Sequence, residues 1–386
     1  MKKTSIVILL LPLRLMSQPN NAEENYWQYH KWVMQAENAF FENNNIDSCL
    51  FYYDMAFDNY SFNYVNDLVN AAQIAYYTQK NESSYHHGHG FEHYIHKAVK
   101  FGLRSSHIQR IPAWRDSDVY VDFQKFEKTQ EGLAYHREYL NSINVDYLCL
   151  IYNLCIEDEK MTLDKYEDIT TNRYIDSILM WNDRLLYYIE EYGFPGQKLL
   201  GIDDDKLFEE LGTPCLDFAT RVQKDSAKLS WIIGNEPMIR ILPSGDTFYI
   251  EYEKVDTIIY KMNTDKLSQN LLEVFFVHHC CPPPYLEEYA IQEIAKGNLH
   301  PRFYAFLSDL NGWDKRFPSL CPEGGIIKFK VSSSFANSQA QSTYTDDMVD
   351  FIREKYCICS VAADNAKISF GKEHGFVFRW GHTQYF

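Results

Sequence analysis

Two histidine groupings carry the side chains best suited to chemistry. The first is His278-His279, which closes the apolar run Leu271–Val277 and is followed by Glu287, Glu288, His300 and Asp309. Side chains at the end of a buried run are held rigidly, and imidazole beside carboxylate suits general acid–base work or a divalent metal. His278, His279, Glu287 and Asp309 are therefore the catalytic candidates, and His278, His279 and His300 one candidate set of metal ligands. The spacing is not the H-E-x-x-H of a zinc-binding helix, and adjacent side chains on a strand point to opposite faces. One histidine satisfied in the core and the other exposed is the weightier reading.

The second grouping is His86-His87-x-His89-x-x-x-His93-x-x-His96. A helix starting near His89 sets His89, His93 and His96 at i, i+4 and i+7 on one face, where three imidazoles could meet a divalent ion. Exposed histidine-rich tracts also bind metal adventitiously. A divalent metal is the one cofactor to which either grouping points, and no other is expected. No G-x-S-x-G elbow, P-loop or G-x-G-x-x-G occurs, which removes the commonest serine-hydrolase and nucleotide-binding signatures. Asp203-Asp204-Asp205 lacks the Gly and Glu offsets of a calcium loop.

Charge and composition narrow the partners. With 53 acidic and 37 basic residues the formal net charge is −16, a field that repels phosphate backbones and argues against nucleic acid. Met1-Lys2-Lys3, the apolar run Ile6–Leu13 and Leu15-Met16-Ser17-Gln18 read as a signal peptide over 1–17, cleaved near Ser17/Gln18. The mature chain is then periplasmic or secreted. That apolar run, ended by Arg14, is far short of the ~20 residues that span a bilayer, so no membrane span is expected. Nine cysteines are too few for a disulfide scaffold, and their odd number leaves at least one thiol unpaired within a monomer. Cys280-Cys281 and Cys357-x-Cys359 read first as small buried hydrophobes, with a disulfide as the second reading.

Helices must position these groups. Asn25–Phe41 and Ile46–Phe57 have helical periodicity on either side of Asn43-Asn44-Asn45, and the pattern recurs in Val65–Tyr77 and Phe91–Phe101. Cys49/Tyr53/Ala56 and Phe91/Ile95/Ala98 stand four and then three apart. In this spacing the chain over about 23–103 resembles degenerate tetratricopeptide repeats, whose small residues let neighbouring helices approach. A third hairpin is placed over Asp116–Asn141. Val145–Cys155 and Ile175–Tyr192 are further helices, the second stopped at Gly193-Phe194-Pro195-Gly196. Alternation in Thr247–Tyr252 around Pro243-Ser244-Gly245-Asp246 predicts a β-hairpin. Leu286–Ala295 and Asp346–Tyr356 read as helices, and Ile326–Val331, Lys367–Phe370 and Phe376–Trp380 as strands.

A second resemblance rests on Asn182–Leu186, Ile189–Pro195, Gly201, His278-His279, Gly297-Asn298-Leu299-His300-Pro301 and Tyr304-Ala305 with Asp309. Over about 145–312 these residues resemble an uncharacterised module of exported bacterial proteins, which implies architecture and no activity, with His278 as the residue to test. The expected fold is mainly α: repeat-like hairpins over 20–144, a helical module over 145–312 with a β-rich insertion near 231–262, and a small α+β unit over 313–386. The function expected first is binding of a protein or peptide partner by the repeat helices. A metal-dependent hydrolase at His278/His279 is the alternative.

Overall fold

The computed structural model describes residues 25–81, 89–164, 171–202, 207–212, 275–276, 286–309, 328–330 and 344–378, and four short strands between 220 and 260. The described chain is mainly helical. Helices α1 (Tyr26–Phe41) and α2 (Ile46–Asp58) form the first hairpin. Asn25 caps α1 by accepting from the Trp27 N–H, and Asn45 caps α2 by accepting from the Ser48 N–H at 3.0 Å. Between them Asn44 takes the left-handed conformation (φ 49°) that Asn tolerates. Tyr26, Tyr29, Val33, Ala36 and Phe40 of α1 bury one face, against Cys49, Tyr53 and Ala56 of α2.

The second hairpin joins α3 (Val65–Asn81) to α4 (Phe91–Val99). Unlike its neighbours, α3 has no solvent face along most of its length: every residue from Val65 to Tyr76 is buried, including Asn66, Asp67, Asn70 and Gln73. A helix so enclosed must bring partners for its polar groups, because unpaired buried amides and carboxylates are costly. Several come from far along the chain. Gln197 accepts from the Val65 N–H at 3.1 Å, and Tyr64 just before the helix donates to the Gly297 carbonyl at 2.8 Å.

Short helices α5 (Ser105–Ile108) and α6 (Pro112–Arg115) lead into α7 (Asp118–Phe126) and α8 (Gln130–Ser142), a helix pair where the third hairpin is expected. Long helices α9 (Val145–Asp164) and α10 (Thr171–Tyr192) follow, then α11 (Gln197–Leu200) and α12 (Leu207–Leu211). Strands β1 (Thr220–Gln223) and β4 (Thr257–Tyr260) pair antiparallel, as do β2 (Met238–Ile241) and β3 (Thr247–Ile250), with Ile241 opposite Thr247. These four-residue strands are the β structure among the described residues. They form two separate two-stranded sheets, not a β-rich module.

The C-terminal part differs from the α+β unit expected of it. Helices α13 (Leu286–Ala295) and α14 (Pro301–Asp309) precede α15 (Asp346–Lys355) and α16 (Val361–His374). Lys367–Phe370 lies inside α16 and is not a strand. Ser360 caps that helix by accepting from the Ala363 N–H at 2.9 Å, and Gly375 ends it in the left-handed conformation. Nor does this part stand apart, since α1 packs against both α13 and α16, and one hydrophobic core runs from Tyr26 to Phe378. Cys149 is disulfide-bonded, whereas Cys49, Cys155, Cys357 and Cys359 are free thiols, so the Cys357-x-Cys359 pair is unlinked. No described helix is long and apolar enough to cross a membrane.

Candidate functional site

One side of α3 is covered by the segment that follows α16. Gly375 (φ 71°) turns the backbone out of α16, its carbonyl accepting from the Ala113 N–H at 2.9 Å, and residues 376–378 run on without regular structure. Gln73 then holds that segment by its backbone: the side-chain amide donates to the Val377 carbonyl at 3.0 Å and accepts from the Val377 N–H at 2.7 Å. This pairing reproduces with one side chain what a neighbouring strand would do, and it reads backbone, not sequence. Aromatic rings flank the contact. Phe376 meets Tyr76 at 6.3 Å and Phe370 at 6.0 Å, and Phe378 meets Phe41 at 5.1 Å.

Beside this groove lies a buried ionic centre drawn from four helices. Arg302 of α14 donates to Asp364 and to Glu37, each at 2.9 Å, and to the Cys359 sulfur at 2.7 Å. Arg353 of α15 reaches Asp364 at 2.9 Å as well as the Phe329 and Cys359 carbonyls. Lys367 of α16 pairs with Glu37 at 2.5 Å and with Asp364 at 3.4 Å. Burial alone would raise the Glu37 carboxyl, but Lys367 and Arg302 hold it below its ordinary value. Burial pushes the Cys359 thiol well up despite Arg302 beside it. Burial thus disfavours the reactive thiolate at Cys359, and the ion pairs around it make the cluster a structural one.

A third buried group surrounds His30. His30 packs edge-on to His300 at 5.0 Å and lies 5.4 Å from the Tyr64 ring, and neither of its ring nitrogens has a hydrogen-bond partner. Burial, reinforced by His300, holds its pKa well below the ordinary value. A histidine depressed in the folded state takes up a proton on unfolding at any pH between its folded and unfolded values. Its contribution is thus complete above about pH 6.5 and falls away as pH drops, by at most about 1.4 kcal/mol per pH unit. Urea titrations from pH 7.5 to 5 are expected to show this loss, with a shallower slope in His30→Leu. Equal slopes in the two proteins would exclude His30 as the source.

At the surface, the end of α2 meets the start of α4. His89 and His93 stack with ring centroids 3.7 Å apart and planes at 12°, and His89 Nε2 is 3.9 Å from Asp58 Oδ2. Asp58 Oδ1 is held by Lys97 Nζ at 3.0 Å. Desolvation, with a contribution from His89, lowers His93 to about 4, so that ring is neutral near pH 7. His96 does not join them. It stacks flat on Phe126 at 3.5 Å, and the expected His89/His93/His96 set is replaced by Asp58, His89 and His93.

The remaining expected residues are dispersed. His278 and His279 lie outside the described residues. Asp309 is buried and accepts the Lys328 and Phe329 N–H groups, both at 2.9 Å, which engages its carboxylate structurally. His300 Nδ1 accepts from the Arg302 N–H at 3.1 Å, and its Nε2 is 3.5 Å from Asp67, which in turn accepts from the Tyr29 hydroxyl. Glu287 is exposed and contacts Tyr356. No grouping among the described residues assembles these into a catalytic pocket. Gln73 is not among the residues singled out in the sequence, although Asn66, Asn70 and Gln73 stand at i, i+4 and i+7 and form a visible amide stripe on α3. Comparison with family models, with curated proteins and with solved structures finds no match.

Proposed function

We propose that this chain is an exported interaction protein whose repeat-type helices bind extended polypeptide through side-chain amides on α3. The observation that supports this reading is the two-way hydrogen bonding of Gln73 to the backbone of Val377, between aromatic pockets for the alternate residues Phe376 and Phe378. The chain's own segment serves there as the model ligand, an aromatic-x-aromatic peptide in extended form. Export rests on the basic start and apolar run of residues 1–17, and the β2/β3 pairing around Pro243–Asp246 supports an inserted hairpin near 231–262.

The test uses a chain ending at Gly375 and a labelled peptide of residues 376–386, followed by fluorescence anisotropy. Saturable one-to-one binding is expected, weakened about tenfold or more by Gln73→Ala, since two partly buried hydrogen bonds contribute about 1–3 kcal/mol. In the full chain Gln73→Ala should speed hydrogen exchange at the Val377 amide. A folded truncated chain that ignores the peptide, or an unchanged Val377 amide in the full-chain variant, would sink the proposal.

A further inference from the structure

We infer that Asp58, His89 and His93 form a binding site for a divalent transition metal, zinc foremost, that joins the end of α2 to the start of α4. The three side chains already offer one oxygen and two ring nitrogens within 4.8 Å of one another. Zinc bonds of about 2.0–2.2 Å draw tetrahedral ligands closer than that. The remaining contraction falls on Asp58 and His89, whose side chains are 52% and 45% exposed. Two imidazoles with one carboxylate select the later first-row ions over magnesium or calcium.

Neighbouring groups prepare the site. Lys97 fixes Asp58 by Oδ1 and also donates to the Phe57 carbonyl at 2.8 Å, leaving Oδ2 turned toward His89. Such outer contacts orient a ligand before metal arrives. Because the ligands sit on two successive hairpins, bound metal ties those hairpins together. It leaves a fourth coordination position to water, and this site is independent of the peptide groove on α3.

The test is calorimetric titration of zinc, and absorbance titration of cobalt(II), into the tag-free full chain. One equivalent is expected to bind, with cobalt giving visible bands of a low-coordinate nitrogen–oxygen site. Asp58→Asn and His93→Ala should each weaken binding about tenfold or more. His96→Ala should bind as the parent does, because that ring lies on Phe126. Far-UV circular dichroism establishes that each variant is folded. Binding that is non-stoichiometric, or that survives both Asp58→Asn and His93→Ala in folded protein, marks adventitious capture by other histidines and overturns the inference.

Discussion

Arg302→Ala is expected to lower the unfolding free energy by about 3–5 kcal/mol, the cost of removing one partner from a buried ionic group. The guanidinium binds Asp364, Glu37 and Cys359 at once and is only 4% exposed. Its loss leaves Glu37 with Lys367 alone, and Asp364 with Arg353 and Lys367, in the buried interior. Against a total stability of about 5–15 kcal/mol, that is enough to shift a urea midpoint far to the left. Arg302→Lys should recover only part of it, since a single ammonium cannot reproduce the planar fork across two carboxylates. A midpoint within error of the parent for Arg302→Ala would mean that the centre contributes little to stability.

Gly297→Ala is expected to cost about 2–5 kcal/mol, with strain and overpacking acting together. Gly297 has φ of 75°, where an L side chain is strained, and an added Cβ would lie 2.7 Å from the ring of Tyr26, itself fully buried. Its carbonyl is meanwhile fixed by the Tyr64 hydroxyl, so the turn cannot simply retreat. Thermal unfolding provides the measurement. Tyr26→Leu in the same chain should relieve the clash and leave the backbone strain, so the double variant is expected to lose less than the two single losses combined. Strict additivity would rule out the contact as the cause.

The elements that reveal themselves in the sequence do so where one apolar face governs a helix. α1, α2, α13 and α15 begin at the residues their periodicity and caps indicate: Asn25 and Asn45 ahead of apolar runs, Thr345 ahead of acidic residues. Lys367–Phe370, inside α16, reads as a strand because Asp364 and Lys367 sit on the helix's buried face, which erases the apolar stripe that marks a helix. Its cap, Ser360, and its stop, Gly375, were nonetheless present as signals. Glu37, Arg302, Asp364 and Lys367 each look like surface charges when read one at a time. Only the fold, which brings residue 37 to residue 302, turns them into a neutralised interior cluster. The histidine tract marks His89 and His93, and the carboxylate within reach of both is Asp58. Asp58 comes from a different hairpin, and helical spacing cannot report a contact between helices.

The closure of the core by distant segments bears on the order in which the molecule can be made. α1 leaves the ribosome first, yet its Glu37 finds Arg302 across 265 residues, Tyr64 finds Gly297 across 233, and Gln73 finds Val377 across 304. Contacts at such separations raise the contact order and require large loops to close before they are rewarded. The early helices therefore emerge with a buried carboxylate, a tyrosine hydroxyl and an amide whose partners have not yet been synthesised. Their final packing has to wait until α14, α16 and the segment after α16 have been made.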